Sequence, residues 1–578
     1  MKFSGIEEKR RKKKENFGDS KPELRIIKLG NDDGANKNLT VYESGDDIII
    51  VDCGISFPDS DLHGVDVVIP DFTYLIENRE KIRGLFVSHG HEDHFGAVPY
   101  LLTELPDIPV FANALVQGFI RGRLEDRGSK NAEKTTQFHL INVDTEEIDL
   151  GNFKVSGFRL NHSVPFSLGF AIRTPQGLVL HAADYKVDYT PIIDDPIDLG
   201  VISDYGREGV LCLLSDCLGA DHDGYVASES SLNHTFQDLF SHAGDRQILV
   251  TTISSNLSRM YQIIEAAIAH GRKVVFAGRS IRQNSEVALD LGYLPFDEGV
   301  FIEERKAKDY DQSTLVYIIA GCYGQPNSGL SRAGRGENDN VILEENALVI
   351  FSADPSPPGV QEDVERALHE LTVAGVEVIY KELQEDLHVG GHGMKGDLTT
   401  VTHLSQAKYY IPIGGNAAKM RAYTSIVESL GHPRENSLEL LEGDSVVFRN
   451  GEAYPGEHVN VEDVYISGRH KEELSAVVMQ DRELLADDGV FFVIVPSTKN
   501  GKHMPDKVEI VTRGFIYVKD SQALMQKSKK FITKSINKHM SKKKDWGAVK
   551  RAVERDLDRF LYKETGRNPM ILVHSITV

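Results

Sequence analysis

Within six positions, His89-Gly90-His91-Glu92-Asp93-His94, this chain places three histidines and an aspartate after a serine and around a glycine. Imidazole and carboxylate are ligands for zinc or manganese, and a hydrolytic metal site needs such ligands with a position left open for water. The plain alternative is a set of surface or core histidines, each with its own hydrogen-bond partner; the density of the pattern argues against it. Read as ligands, His89 and His91 turn toward one ion while Asp93 and His94 face a second. Four side chains cannot saturate two ions and bridge them as well, so further donors must come from elsewhere. His162, after Arg159-Leu160-Asn161, and Asp184, after Val179-Leu180-His181-Ala182-Ala183, stand at the ends of strand-like runs. Taken singly, each reads as a turn or capping residue.

The elements that must hold these groups follow from the apolar pattern. Asp47 to Asp52 reads as a buried strand that presents a carboxylate at its end, and Ile82 to Val87 as another that delivers the histidine cluster to a strand-to-helix loop. A rigid scaffold lets side chains on such a loop converge. Further strands are expected at Leu24 to Leu29, Asn38 to Glu43, Phe153 to Asn161, Leu168 to Arg173 and Gly177 to Leu180. From about Glu229 helices and strands alternate, which marks a separate α/β unit reaching about Glu382. Gly, Pro and Glu with turn signals between Arg449 and His458 suggest a linker, and past it strands at Val490 to Val495 and Val508 to Val511, a largely helical stretch and a last strand from Met570 make a small C-terminal unit.

At 578 residues the chain is too long for one core, and two or three domains are expected. No apolar run approaches the roughly 20 residues that cross a bilayer, so no membrane role is expected. A net charge of −22 argues against indiscriminate nucleic-acid binding. From Ser521 onward, however, 14 Lys and Arg stand against 5 Asp and Glu; that basic segment is either a solvated helical surface or a surface for RNA. Lys9 to Lys14 carries no apolar run behind it and reads as a disordered tail. Cys53, Cys212, Cys217 and Cys322 lack zinc-ribbon spacing and read as buried thiols of a cytoplasmic protein.

Asp52, the His89 to His94 loop, His162 and Asp184 together resemble the metallo-β-lactamase superfamily. The segments Cys53 to Pro58, Gly64 to Asp66, Ile69 to Asp71, Asn161 to Pro165, Ser215-Asp216, Gly278 to Ser280, His388 to Gly393 and Arg513 to Val518 narrow the resemblance to the β-CASP branch and to the ribonuclease J family. The resemblance implies an α/β protein: a metallo-β-lactamase αββα sandwich with an inserted β-CASP α/β domain and a small C-terminal α/β domain. The expected division is a tail at 1–20, the first part of the sandwich at 21–228, the insert at 229–382, the second part of the sandwich at 383–450, a linker at 451–475 and the C-terminal domain at 476–578.

By resemblance, His89, His91 and His162 bind one Zn2+, Asp93 and His94 a second, and Asp184 bridges them, with Mn2+ as the other candidate. Asp216 would orient or deprotonate the nucleophile, and His392 would protonate the leaving oxygen or neutralise phosphate charge. Ser255, Asn256, Ser331, Arg332 and the run His388-Val389-Gly390-Gly391-His392 would hold RNA phosphate. The implied activity is 5′-to-3′ exoribonuclease, with endonuclease cleavage admitted, in RNA maturation and decay. The implied partners are RNA, further copies of this chain in a dimer or tetramer, and a paralogous ribonuclease.

The chain departs from the family pattern at Pro412-Ile413-Gly414-Gly415-Asn416, where Gly414 stands in place of a histidine that completes the second metal's shell. Asn416 is adjacent, but an amide oxygen is a weaker zinc donor than imidazole. Gly390 in place of a serine, residues 31–36 and Ala320 to Gln325 also depart. Two further readings follow: a catalytically weak or inactive subunit that binds RNA or a paralogous ribonuclease, and a metallo-hydrolase of small esters or thioesters, which would need neither the insert nor the basic C-terminal segment.

Overall fold

Strand Asp47–Val51 is buried along its whole length and runs parallel to Ile82–Phe86, as suits strands covered on both faces. In this computed structural model, which describes residues 21–30, 36–58, 62–126, 134–353, 360–381, 383–467, 472–516, 522–542 and 545–578, these two strands lie inside an eight-stranded sheet. Its order is Glu452–Pro455, Ser445–Arg449, Leu24–Lys28, Thr40–Ser44, Asp47–Val51, Ile82–Phe86, Val110–Ala112 and Phe138–Leu140. A six-stranded sheet, in the order Tyr409–Ile413, Val210–Asp216, Gly177–His181, Leu168–Thr174, Phe153–Arg159 and Ile148–Leu150, supplies the other half of the sandwich.

One apolar cluster fills the space between the sheets, with Tyr42, Ile49 and Phe86 from the first and Phe170, Val179 and Ile411 from the second. A separate cluster joins the outer face of the six-stranded sheet, through Leu180, Leu213 and Tyr410, to Val401 of helix Lys395–Ser405 and to Met420, Tyr423 and Ile426 of helix Ala417–Ser429. The expected sandwich is therefore present. The basic tail at 1–20 and the departure at 31–35 lie outside the described residues.

The insert is an all-parallel five-stranded sheet ordered Lys273–Ala277, Leu315–Ile319, Ile248–Thr251, Leu348–Phe351 and Glu377–Ile379. Helices Asn233–Ala243, Leu257–Ala269, Arg279–Asp290 and Gln361–Val373 alternate with its strands. This is the α/β texture expected from about residue 229.

Two compact units can be distinguished. One comprises the described residues up to Phe57 with Val68–Asp463; the other comprises Val464–Val578 with the short segment Pro58–Val67. In the second unit, Val490–Ser497 alternates half-buried and buried residues along its length, between antiparallel Glu509–Arg513 and parallel Met570–Thr577. Helices Gln522–Met540 and Trp546–Thr565 close the core over Phe491, Val493 and Val495.

One sequence expectation needs correction. Residues 451–475 are not a plain linker: Glu452–Pro455 pairs with Ser445–Arg449 as the edge strand of the eight-stranded sheet, and Val464–Ser467 is a strand as well. Edge strands carry charge to discourage further pairing, so an edge strand can read as a turn. Glu452 is such a charge, accepting from the Tyr409 hydroxyl and the Lys408 ammonium at 2.8 Å each.

The two sheets are also tied by a buried polar contact, the Tyr42 hydroxyl with His181 Nδ1 at 2.7 Å. Burial draws the His181 pKa down to about 4, so its imidazole is neutral. Tyr42→Phe leaves His181 Nδ1 without this partner and should lower unfolding free energy by about 1–3 kcal/mol, as for other orphaned buried groups. Urea denaturation measures this; a loss below about 0.5 kcal/mol would show that the contact carries no stability.

Candidate metal centre

The histidine loop emerges from strand Ile82–Phe86 and is fixed by Asp52, the residue after the neighbouring strand. Asp52 Oδ1 accepts Ser88 N at 2.8 Å, and its Oδ2 accepts Ser88 Oγ at 2.9 Å and His94 Nδ1 at 2.8 Å. At Gly54 an added Cβ would lie 1.6 Å from the Asp93 carbonyl oxygen, so only glycine admits this approach. Cys53 N donates to His94 O at 2.7 Å and Ile55 N to Glu92 O at 2.9 Å, completing the attachment.

Three histidines present one ring nitrogen to a common point while the other is held. His162 Nδ1 donates to Gly391 O at 2.8 Å, His89 Nδ1 pairs with Ser88 Oγ at 3.0 Å, and His91 Nε2 pairs with Ser163 Oγ at 3.1 Å. Partners of this kind set tautomer and ring direction in metal sites. The free edges converge: His91 Nδ1 lies 3.2 Å from His89 Nε2 and 2.9 Å from His162 Nε2. His94 Nε2 lies 3.1 Å from Asp184 Oδ2, with His89, His162 and His392 at 3.9, 4.0 and 3.8 Å from the same oxygen. Asp184 follows Ala183, whose φ of +24° is left-handed, and its Oδ1 is buried without a hydrogen-bond partner.

Electrostatics divide these residues into two sets. Burial, reinforced by the neighbouring imidazoles, holds His89 and His162 well below the ordinary histidine pKa, and burial draws His91 down to about 4. All three are neutral at pH 7 and offer lone pairs. Burial opposes protonation of His94 and His392 also, yet Asp184 and Asp93 lift His94 well above its ordinary value, and Asp216 and Asp184 lift His392 to about 9. Burial opposes ionisation of Asp184, but His94 and His392 outweigh it and hold the carboxyl well below the carboxylate range. Crowded neutral imidazoles beside an unsatisfied buried carboxylate oxygen fit a divalent cation. The groups His89–His91–His162, His89–His94–Asp184 and His162–Asp184–His392 each bring their ligand atoms within 4.8 Å of one another.

At the second position the fit is poorer. Asp93 Oδ2 stands 3.4 Å from His94 Nε2, but Gly414 brings no donor. A Cβ there would lie 3.3 Å from Asp184 Oδ1 and 3.5 Å from Asp216 Oδ1, so the position faces the site and carries nothing into it. Asn416 does not replace the missing donor. Its side-chain oxygen caps helix Ala417–Ser429, accepting Ala418 N and Lys419 N at 3.1 Å each. The sequence reading missed Asn38, whose amide nitrogen lies 3.0 Å from His94 Nε2 and 3.3 Å from Asp93 Oδ2. No motif points to it, because it is an isolated amide ahead of strand Thr40–Ser44.

Asp216 and His392, 176 positions apart, meet at 2.8 Å through Oδ2 and Nδ1, and Asp216 Oδ1 accepts Leu218 N at 2.8 Å. The other candidates divide. Asn256 caps helix Leu257–Ala269 with its side chain, and the N–H groups of Asn256 and Leu257 are spent on Ile253 O and Ser255 O, which leaves little there for phosphate. Ser331 is buried against Ser328, and Arg332 donates to Glu337 O. Among the described residues, neither bonds to a metal-site side chain. His388 and buried Val389 lead into Gly390, which is exposed, and Gly391, where a Cβ would strike the His162 ring at 2.7 Å.

Comparison with known proteins places this geometry in context. Residues 32–228 match the metallo-beta-lactamase superfamily, residues 245–371 the ribonuclease J beta-CASP domain and residues 477–578 the ribonuclease J C-terminal domain. The chain is 33% identical over 550 residues to Ribonuclease J2 of Bacillus subtilis, covering 95% of this chain and 98% of that protein. It is 33% identical over 557 residues to Ribonuclease J 1 of Streptococcus pyogenes, covering 96% of this chain and 98% of that one. A crystal structure of a protein of unknown function from Enterococcus faecalis V583, 15% identical, shares the fold with a TM-score of 0.52 over 74% of this chain and all of that one. With a third of its residues shared across nearly the full length of such relatives, the chain belongs to the ribonuclease J family.

Proposed function

We propose that this chain is a metal-dependent ribonuclease, hydrolysing phosphodiester bonds of RNA from the 5′ end and also internally. The observation that carries the reading is the convergence of three neutral imidazoles on one point beside the unsatisfied Asp184 Oδ1, in a chain of ribonuclease J type. His89, His91 and His162, with Asp184, would hold the first ion, and Asp93, His94 and Asp184 a second, weaker one; zinc or manganese suits these donors. A cation held there supplies a lowered pKa for water and charge neutralisation on the phosphoryl oxygens.

The protein's own groups do the rest. His392, lifted to about 9, carries its proton at neutral pH, and Asp216 fixes the ring by taking Nδ1–H. Its Nε2–H is then available to a leaving oxygen or to a phosphate oxygen. Among the described residues, the main-chain N–H groups of Gly390, Gly391 and His392 donate to no main-chain oxygen, and they supply the phosphate cradle in this reading. Ser255, Ser331 and Arg332 would contact RNA further from the scissile bond.

No helix of the described residues is long and apolar enough to cross a membrane. With four free, buried cysteines, a cytoplasmic setting is consistent. Self-association into a dimer or tetramer, or pairing with a paralogous ribonuclease, completes the proposal.

Degradation of a 5′-monophosphorylated RNA with added zinc or manganese tests the reading. Partners of metal ligands alone are worth about 10–100-fold, so replacing two ligands in Asp93→Ala/His94→Ala should cost at least about a hundredfold. Equal rates for variant and parent would overturn it. Metal counting by native mass spectrometry should find one tightly held ion per chain and a second that dissociates about tenfold more readily or faster. Asn38→Asp, which sets a carboxylate beside His94 and Asp93, should raise occupancy of the second position by about tenfold; unchanged occupancy would separate Asn38 from that site.

A further inference from the structure

A second set of charges is buried outside the metal centre. Lys186, Glu229 and Arg259 are each 2% exposed or less, and such residues are fully buried only when paired. Lys186 lies two positions past Asp184, and its N–H donates to Asn161 O at 2.8 Å, beside His162. Its ammonium donates to Glu229 Oε1 at 3.1 Å and lies 3.5 Å from Asp188 Oδ2, which also accepts Glu229 N at 3.0 Å. Glu229 Oε2 takes Arg259 Nη2 at 3.0 Å. The other arm of the Arg259 guanidinium donates to Ser352 O and Leu387 O at 3.2 Å each and to Ser352 Oγ, and that hydroxyl donates in turn to Leu387 O at 2.7 Å.

These contacts close a circuit. The chain passes into the insert at Glu229 and returns at Leu387, and both crossings are held by the same arginine. Four residues past Leu387, Gly391 O accepts His162 Nδ1, so the circuit ends where it began, beside the first metal position. An apolar filling could supply cohesion. A guanidinium with directed donors to Glu229, Ser352 and Leu387 also sets one register between the segments, because each bond has a fixed partner and direction.

We infer that Lys186, Glu229 and Arg259 are positioning residues that set the segment carrying Gly390, Gly391 and His392, and with it the RNA phosphate, against the metal-holding side chains. The inference rests on the ribonuclease reading above. It assigns these residues to RNA placement and not to holding the ion: among the described residues none of the three hydrogen-bonds to a metal-site side chain, and the rings of His94, His89 and His91 are oriented by Asp52, Ser88 and Ser163, with only His162 reaching the segment through Gly391 O.

The test uses the full chain with 5′-monophosphorylated RNA and the variants Glu229→Gln and Arg259→Lys. The first keeps the side-chain shape without its charge; the second keeps the charge without the planar fork that reaches Ser352 and Leu387 together. The expected result is a KM raised about tenfold or more with an unchanged count of bound metal. A purely structural role would lower the melting temperature and reduce kcat with the folded fraction while leaving KM unmoved; that result overturns the inference. Should Glu229→Gln not fold, Glu229→Gln/Arg259→Met removes both opposite charges, leaves Lys186 beside Asp188, and is read in the same way. A parent chain that cleaves no RNA would overturn the ribonuclease reading instead, and the ratio of RNA affinities between parent and variants, from fluorescence anisotropy, then decides the positioning role: equal affinities reject it.

Discussion

The site hangs on the carboxylate of Asp52. It is buried, it sits on a left-handed backbone with φ of +63°, and a carboxylate in that setting must be fully hydrogen-bonded. Both its oxygens are spent on Ser88 and His94, the residues that bracket the histidine loop. The parallel pairing of Asp47–Val51 with Ile82–Phe86 brings the two segments level, and Asp52 N on Phe86 O at 2.8 Å continues the ladder one step past the strand. With His94 Nδ1 committed to Asp52, its Nε2 faces Asp184, Asn38 and Asp93. The ring directions of the loop are thus consequences of one ladder and one buried anion.

Charge is then arranged by distance from carboxylates. His89, His91 and His162 crowd one another and stay neutral, whereas His392 sits against Asp216 and Asp184 and holds a proton. Groups of one chemical type thereby acquire two tasks, lone-pair donation and proton carriage, through placement alone. With a net charge of −22, the chain offers an approaching polyanion favourable contacts only where donors are focused.

Much of this was legible in the sequence because it is local. The His89 to His94 loop, the apolar run before it and the strand-end positions of His162 and Asp184 are patterns of residue type within short windows, and all four elements form where the pattern places them. The separate roles of Asp216 and His392 follow from family resemblance, and their pairing across 176 positions is visible only in the fold. What stayed hidden depends on long-range contacts of unremarkable residues. Asn38 is one amide among many, Asn256 and Asn416 read as polar contacts until seen as helix caps, and the Glu452–Pro455 edge strand is recognisable only beside its partner. Lys186, Glu229 and Arg259 are charged residues that a sequence reading assigns to the surface, and only the fold turns them inward.

The missing donor at Gly414 can be separated from the rest on structural grounds. Gly414 has φ of +72°, Gly415 packs where a Cβ would lie 2.7 Å from Cys217 Sγ, and Asn416 caps the next helix, so Gly-Gly-Asn builds a tight turn from strand Tyr409–Ile413 into helix Ala417–Ser429. A side chain at 414 would need a left-handed backbone that residues with a Cβ seldom adopt. The turn is therefore adapted to glycine and not merely lacking a ligand. The convergence of His89, His91 and His162 takes no contact from this turn, being held by Ser88, Ser163 and Gly391. Weakness at the second position consequently need not spread to the first, and the two positions differ in how much of the scaffold is committed to them.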